Sequence, residues 1–452
     1  MIAFGQWDSY LSTLCEEFRN ENKIPAELYD NQNVKRGLRN ADGTGVVAGV
    51  SMIGNVHGYV MNEGERIPDE GRLTYRGISV TDMVESYRAE NRFGFEETAF
   101  LLLIGRLPTK EELDKFRMLL GSLRKLPVNF TEDMIIKAPS NNVMNKLARA
   151  TLALYSYDDN ADDLTLKNNI RQGIELVARF PTIISHAYQV KKHYYNNESL
   201  VLHYPKPELS TAENTLMLMR QNGEYTDEEA KLLDLCLVLH AEHSGGNNST
   251  FACRVLTSAG TDTYSAASAA VGSLKAPKHG GANIAVKRMF QDIMENVENW
   301  DDDDQVFSYL KRILRKEAGD GSGLIYGMGH AIYTLSDPRA VQLKKYARSL
   351  AEAKGFDRRM ALIERVERLA PAAMAEERGQ NKVICANVDL YSGLVYEMLD
   401  IPEELYTPLF AVSRITGWIA HRLEELENGG RIIRPAYKPV RRRIPYIPLE
   451  ER

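Results

Sequence analysis

Apolar side chains recur at helical spacing in one stretch after another between residues 79 and 426, and this periodicity constrains the fold more than any other feature of the chain. Several of these stretches begin at a residue that can cap a helix. Ser79 precedes one of them, and Thr109 stands three residues before Glu112, which is the spacing of a capping box. The pattern predicts an all-α fold built from many helices.

Other elements are predicted towards the two ends of the chain. Short Val, Ile and Tyr runs separated by glycines, between residues 43 and 76, predict small β hairpins. The first helix is predicted at residues 4–20. The last is predicted to have Thr407 as its N-cap and Pro408 at its first position, and a Pro-rich tail follows Gly430.

Composition narrows the class of protein. The chain has 452 residues and a formal net charge of −6, which gives no overall attraction for polyanions. The basic run at residues 441–443 lies in the Pro-rich tail, where an arm contacting another subunit explains it better than a nucleic-acid site. Four cysteines without a C-x-x-C pair favour reduced thiols. No apolar run approaches the length of about 20 residues that a membrane span needs, and the N-terminus has no targeting pattern. We therefore expect a cytoplasmic protein without membrane or nucleic-acid partners.

No metal site is expected. His240 and His243 are three residues apart, whereas the zinc-binding helix of metalloproteases places its histidines four apart around a glutamate. The four aspartates at residues 301–304 lack the spacing, the glycine and the final glutamate of a calcium loop, and they are interpreted as a solvated helix start. The alternative for the histidines is one core residue bonded to backbone and one residue that faces a cleft.

Three residues stand where catalytic groups are expected. His279 is followed by two glycines and a predicted helix start, where a neutral imidazole can donate an N–H to an enolate, although a structural role in the turn is the alternative. His330 follows the turn Gly327-Met328-Gly329, which lacks the third glycine of a dinucleotide loop. Asp389 lies in an apolar run, where it either caps a helix or has the raised pKa of a general base.

Arginines in apolar surroundings point to an anionic ligand. Arg339, Arg414 and Arg434 all occur in such contexts. A buried guanidinium needs a carboxylate partner, which a ligand can supply where the protein does not.

The order of these motifs resembles that of the citrate synthase family. His-x-x-His with Gly-Asn comes first, followed by Pro-x-His-Gly and by Gly-x-Gly-His with Asp-Pro-Arg. Asn-Val-Asp-x-Tyr-Ser-Gly and Ser-Arg complete the series, and the final segment, residues 446–452, is similar as well. The resemblance covers most of the chain from about residue 43 onward.

This resemblance implies a many-helix, two-domain, citrate-synthase-like fold with small N-terminal β hairpins. Residues 1–281 and 391–452 would form a large helical dimerisation domain, and residues 282–390 a small lid domain. It further implies a homodimer in which Arg434 and the C-terminal arm reach the partner subunit. No cofactor is expected, because the coenzyme A thioester is itself a substrate.

The resemblance also implies a reaction, the condensation of acetyl-CoA with oxaloacetate by an acyltransferase of the tricarboxylic acid cycle. His279 would stabilise the enol, Asp389 would remove the methyl proton and His330 would polarise the acceptor carbonyl. The substrate-binding residues would be His243, Arg339, Arg414 and Arg434, and the CoA-binding residues would be Gly327, Met328, Gly329 and Lys382. Such a condensation requires a base, an enolate stabiliser and an electrophile activator, and these residue types fit those roles.

Two alternatives remain open. The segment at residues 244–251 and the Ala331-Ile332-Tyr333 sequence after His330 depart from the common family pattern. One methylene in a pocket changes discrimination by only about 1–3 kcal/mol, so a 2-methylcitrate synthase that uses propionyl-CoA is an alternative. A non-catalytic helical ligand-binding or scaffold protein is a remote one, since it has no need of an acid, a base and carboxylate-binding arginines together.

Overall fold

The structure is a computed structural model of the chain that describes residues 8–379, 383–441 and 443–452. In chain order, α1 to α17 span Asp8–Asn22, Ala26–Asn31, Val80–Ala89, Phe95–Ile104, Lys110–Leu123, Val143–Ala153, Leu166–Asn196, Thr211–Met219, Asp227–His240, Asn248–Ser258, Thr263–Lys275, Ala282–Asn296, Asp303–Leu314, Pro338–Ala353, Asp357–Arg378, Asp389–Met398 and Tyr406–Glu427. The strands β1 to β3 span Gly54–Asn62, Glu65–Tyr75 and Ile78–Ser79. The prediction of a helical protein with a small β element is confirmed. Among the described helices, none combines the length and apolar character that a membrane span requires.

The chain divides into two compact units. The first comprises Met1–Gly49 and Arg434–Arg452, described from residue 8. Within it, α1 is exposed along its whole length, and Arg441 donates hydrogen bonds of 2.7 and 3.0 Å to the carbonyl and carboxylate of Glu21. The first four residues of the helix predicted at 4–20 lie outside the described residues. The first unit also contains α2, and the second unit, Val50–Ile433, contains α3 to α17 and the three strands.

The helix starts that were predicted from capping patterns are largely confirmed. Ser79 Oγ accepts from the backbone N–H of Asp82, and Thr109 and Glu112 form a reciprocal capping box. At the acidic run, the Asp302 carboxylate accepts backbone N–H groups at the start of α13, as expected for acids at a helix N-terminus.

The predicted start of the last helix is wrong. A 3₁₀ turn over Glu403–Leu405 leads directly into α17, so the helix begins at Tyr406 with Leu405 at its N-cap. Thr407 lies in the first turn, and its Oγ1 donates a 2.8 Å hydrogen bond to the carbonyl of Gly280. A tertiary contact therefore uses the hydroxyl that local pattern assigned to capping.

The three strands form one antiparallel sheet in the order β1-β2-β3, and its hairpin lies against residues 332–338. The contact is between backbones. A Cβ on Gly71 would lie 2.0 Å from the carbonyl oxygen of Ser336, so only glycine fits there. The Gly71 N–H also donates to Ser336 Oγ at 3.1 Å. The hairpin thus fixes the segment between His330 and Arg339.

The helix α17 is buried along most of its length. This helix contacts α4, α7, α9, α10 and α11, and Trp418 on it is completely buried. Burying a large apolar side chain contributes about 1.5–3 kcal/mol, so such a helix is held firmly. It carries Arg414, and α9 ends at His240, three residues before His243. The candidate site is therefore built on core helices.

Candidate active site

Two predicted site histidines are in direct contact. His243 is buried, and its ring centroid lies 5.1 Å from that of His330 with the planes nearly perpendicular. Tyr333 stacks on His330 with centroids 4.6 Å apart. Burial and the neighbouring charge of Arg339 lower the pKa of His243 well below its ordinary value. His243 is therefore neutral in this surrounding.

The backbone fixes the tautomer of His330. Its Nδ1 lies 3.1 Å from the backbone nitrogens of both Ile332 and Tyr333, which donate to it. Because Nδ1 accepts, the proton of the neutral ring is on Nε2. The ring therefore presents an N–H donor on its far side.

The glycine turn before His330 is paired with the segment before Asp389. The Gly329 N–H donates to the carbonyl of Cys385 at 2.7 Å, and the Asn387 side chain donates to the carbonyl of Gly329 at 2.9 Å. Gly327 and Gly329 have φ angles of 82° and 91°, which side chains rarely adopt. This pairing fixes the spatial relation between the two segments.

Arg339 has an internal carboxylate partner. Its Nε and Nη2 donate to the two carboxylate oxygens of Asp337 at 3.0 and 2.8 Å, and both side chains are buried. Asp337 also caps α14 and accepts the backbone N–H of Val388 at 3.1 Å. The same carboxylate thus orients the arginine and anchors the residue before Asp389.

Arg414 is arranged differently. Its Nε donates to the carbonyl of His240 at 2.6 Å, and its guanidinium lies 4.6 Å from the ring centroid of Phe410. Nη1 and Nη2 have no hydrogen-bond partner among the described residues, and burial lowers the pKa of this guanidinium to about 10. The ring nitrogens of His240 also lack partners among these residues, so the predicted bond from a core histidine ring to backbone is wrong.

His279 lies in the turn before α12, as predicted. Its Nε2 is 3.0 Å from Ser249 Oγ, which also accepts from Trp418 Nε1 at 3.1 Å. Burial, followed by the charge of Arg414, lowers the pKa of His279 to about 4. The ring is therefore neutral at pH 7, in agreement with the expectation from sequence.

Asp389 is the first residue of α16 and is partly buried. Val388 occupies the N-cap without a side-chain capping bond, so the interpretation of Asp389 as a simple N-cap is wrong. Burial raises the pKa of Asp389 to about 6, although the charge of Arg339 opposes this. A carboxylate with this pKa is suited to accept a proton near neutral pH.

The positive charge of Arg414 acts on His243, His279 and Asp389, since it lowers the pKa of each. Together with the contact between His243 and His330, this brings six of the predicted residues into one cluster: His243, His279, His330, Arg339, Asp389 and Arg414. Three other predicted residues, Gly327, Met328 and Gly329, form the turn immediately before His330. Arg434 is exposed in the other compact unit, and Lys382 lies outside the described residues.

A cavity of about 1300 Å³ adjoins the cluster. Lys278 and Gly281, which flank His279 in sequence, line it together with Tyr326, the residue before the glycine turn. Lys275 and Arg288 add positive charge to its wall. Among the described residues, no three His, Cys, Asp or Glu side chains are grouped as metal ligands. The carboxylates of Asp292, Asp320, Glu403 and Glu404 also line the cavity, and Arg288 is paired with Glu403 at 2.8 Å. The cavity therefore has room for a large ligand beside the turn that contains His279.

The family model described as "Citrate synthase, C-terminal domain" matches residues 42–436. The chain belongs to the citrate synthase family. The citrate synthase of Synechocystis sp. is 33% identical over 429 residues, which cover 94% of this chain and 96% of that protein. The 2-methylcitrate synthase of Shewanella oneidensis is 32% identical, covering 80% of this chain and 87% of that protein.

Similarity to the family extends to solved structures. One is the ternary complex of carboxymethyl coenzyme A and oxaloacetate with the citrate synthase of Thermoplasma acidophilum. It matches with a TM-score of 0.73 and 26% identity, covering 93% of this chain and 99% of that chain. The fold implied by the sequence resemblance to the family is thus confirmed.

Several residues of this family member's site were not predicted from its sequence. Ser249 and Asp337 contact predicted residues, and Tyr333 stacks on one of them. Asp337 belongs to the Asp-Pro-Arg motif, so its pairing with Arg339 could have been predicted from the sequence. Ser249 and Tyr333 carried no comparable signal, because their roles depend on contacts with residues distant in sequence or on the path of a loop. Glu242, between the two histidines, was also missed.

Proposed function

We propose that this chain catalyses the condensation of acetyl-CoA with oxaloacetate to give citrate and coenzyme A. The observation that carries the proposal is the placement of a carboxyl of raised pKa and two neutral histidines around one buried, unpaired guanidinium. Carbon–carbon bond formation from a thioester requires a base, a donor to the enolate and an activator of the acceptor carbonyl, all within one site.

In the proposed mechanism Asp389 removes a proton from the thioester methyl group. His279 donates an N–H to the carbonyl oxygen as negative charge develops there, and Ser249 holds its ring through the contact at Nε2. His330, whose proton is on Nε2, donates to the ketone of oxaloacetate and makes its carbon more electrophilic. Each donor is held by protein contacts before the reaction, so little reorganisation is needed in the transition state.

We assign binding of the oxaloacetate carboxylates to His243, Arg339 and Arg414, with Arg434 supplied by a partner subunit. The free Nη groups of Arg414 support its role, because a buried guanidinium without acceptors is satisfied by an incoming carboxylate. Arg434 stands as a proposal that follows from the family resemblance. It goes together with a homodimer in which the C-terminal arm embraces the partner.

Coenzyme A would occupy the cavity beside His279, against the turn Gly327-Met328-Gly329. Lys275 and Lys278 on the cavity wall suit its phosphates, and Lys382 is proposed to assist them. Residues 282–390 would form a lid that closes over both substrates, because water must be excluded before the thioester hydrolyses. The coenzyme A thioester is a substrate in this scheme, and no cofactor is required. A cytoplasmic location is proposed from the four free cysteines.

The test is release of free thiol from acetyl-CoA in the presence of oxaloacetate. Wild-type protein should release one thiol for each citrate that forms. Without oxaloacetate it should release none. Asp389→Ala should lose turnover while still binding oxaloacetate, detected as a shift in melting temperature. Turnover retained by this variant would contradict the assigned base.

A 2-methylcitrate synthase is the second candidate, supported by the relative from Shewanella oneidensis. The same assay with propionyl-CoA distinguishes the two. A higher kcat/KM with propionyl-CoA than with acetyl-CoA would replace the first proposal by the second. Asp389 and the histidines would catalyse the same steps with either acyl donor. The preference between acetyl-CoA and propionyl-CoA therefore depends on how well the pocket fits one additional methylene.

A further inference from the structure

Glu242 is a completely buried carboxylate between the two histidines of the His240–His243 segment, and the mechanism above does not use it. Its Oε1 accepts a 2.9 Å hydrogen bond from His421 Nε2, and its Oε2 has no hydrogen-bond partner among the described residues. A buried acid without a full set of partners is costly, so its presence requires a reason.

The surrounding fold is shaped to admit this side chain. A Cβ on Gly54, at the start of β1, would lie 2.8 Å from Glu242 Cγ. A Cβ on Gly417, within α17, would lie 2.4 Å from Glu242 Oε2. Two glycines on different elements therefore make room for one carboxylate. The Tyr75 hydroxyl accepts the backbone N–H of Glu242 at 3.3 Å, which fixes the main chain as well.

A second layer of contacts orients the neighbouring histidine, His421. His421 Nδ1 accepts from Arg254 Nε and Nη2 at 3.1 and 2.8 Å, so its proton is on Nε2 and is directed at Glu242. Arg254 is held in turn by Glu424 and Glu425. His421 Nε2 thus donates to Glu242 Oε1.

The negative charge of Glu242 lies close to Arg414. The Glu242 Oε2 atom lies against Gly417, three residues after Arg414 on α17, and Arg414 Nε donates to the carbonyl of His240, two residues before Glu242. Burial lowers the pKa of Arg414, and Glu242 opposes this more strongly than Asp389 does. Burial raises the pKa of Glu242 in turn, but His421 and Arg414 outweigh it and hold the pKa below its ordinary value. Arg339 has Asp337 in direct contact, whereas Arg414 has no hydrogen-bonded carboxylate among the described residues.

We propose that Glu242 is a positioning residue that supplies the counter-charge of Arg414 before oxaloacetate binds and thereby limits the affinity of the site for this dianion. The inference rests on the proposed function. The acceptor carboxylate pairs with the free Nη groups of Arg414, while Glu242 stays nearby and repels the bound dianion. The resident charge therefore stabilises the ligand-free protein and weakens binding, which favours release of the tricarboxylate product.

The decisive variant is Glu242→Gln, because the amide keeps an acceptor for His421 and nearly the same shape between Gly54 and Gly417. We expect this variant to bind oxaloacetate on the order of tenfold more tightly than wild type. A tenfold change corresponds to the loss of a charge interaction equivalent to about one pKa unit. The ligand-free protein should melt at a lower temperature, and the increase in melting temperature on adding oxaloacetate should be larger. A residue with only a packing role would give unchanged or weaker binding.

The matched control is Glu96→Gln. Glu96 is also buried, accepts one backbone N–H, from Thr211, and has an oxygen without a hydrogen-bond partner among the described residues, but it lies on α4 and contacts none of the proposed site residues. This variant should leave oxaloacetate affinity unchanged. Oxaloacetate alone is the ligand in calorimetric titrations and in melting curves, so no turnover is needed.

Each outcome is decisive. Unchanged or weaker oxaloacetate binding by folded Glu242→Gln overturns the inference. If that variant does not fold, the double variant with Arg414→Gln should restore folding, because both charges are then removed; failure of the double variant to fold also overturns it. A wild-type protein that does not respond to oxaloacetate contradicts the proposed function instead, and the melting temperatures of the two single variants and the double variant still test the charge coupling.

Discussion

Replacing Asp389 by asparagine is expected to abolish turnover and, at the same time, to stabilise the folded protein at neutral pH. Burial raises the pKa of this carboxyl from 3.8 to about 6, so the fold disfavours the ionised form that the proposed mechanism requires. Asparagine has nearly the same shape and no charge. Replacing the proposed base, Asp389, by the neutral asparagine should therefore increase the stability of the folded protein.

The magnitude follows from proton linkage. A carboxyl whose pKa is higher in the folded than in the unfolded state is stabilising when protonated, and this contribution is lost as pH rises from about 4 to about 6. The shift in pKa corresponds to about 3 kcal/mol at pH 7.5, and partial exposure of the side chain reduces this to about 1–2 kcal/mol. With an entropy of unfolding of roughly 1 kcal/mol/K for a chain of this length, the melting temperature should rise by about 1–2 °C.

The assay is calorimetric melting of wild type and Asp389→Asn at pH 7.5 and at pH 5. At pH 5 the folded wild type is mostly protonated at Asp389, so the advantage of the variant should fall to about half. Asp114→Asn, an exposed change on α5, is the control and should show no pH-dependent gain. The reasoning is refuted if Asp389→Asn melts no higher than wild type at pH 7.5, or if its gain is the same at both pH values.

Three further outcomes are expected. The kcat/KM for oxaloacetate should rise with pH through a single ionisation, that of Asp389, with a midpoint near 6. No second ionisation should appear between pH 5 and 8, because the pKa of His279 is about 4. A flat profile over this range would contradict the assignment. Ser249→Ala should lower kcat by roughly 10- to 100-fold, because His279 loses the hydroxyl that orients it. Oxaloacetate should still raise the melting temperature of this variant. If it does not, Ser249 has a structural role instead. Gly327→Ala should cost about 1–3 kcal/mol or more of unfolding free energy, because it combines a left-handed φ with contact at 2.7 Å to an α16 side chain. Gly329→Ala, with a similar φ and open space around its Cβ, should cost less, and equal costs in chemical denaturation would show that the steric argument is wrong.

Much of the fold was readable from local sequence. Helical periodicity and caps such as Ser79 and Thr109 depend on residues within one or two turns, so they gave the helices and several of their starts. The Thr407 N-cap prediction failed because its hydroxyl contacts Gly280, far away in the chain. A sequence pattern cannot distinguish a residue that caps its own helix from one whose side chain is used by another element.

The same division applies to the site. The sequence by itself determined which residue types are present and in what order, and this was enough to indicate an acid, two histidines and arginines around one anionic ligand. Only the tertiary structure decided the tautomer of His330, the pKa of Asp389 and the pairing of Arg339 with Asp337. It also decided that, within the described part of the chain, Arg414 has no hydrogen-bonded carboxylate. These properties depend on burial and on charges brought together from segments more than a hundred residues apart, such as Glu242 beside His421. Local spacing carries no information about either, because desolvation and Coulomb interactions depend on distance in space and not on distance along the chain.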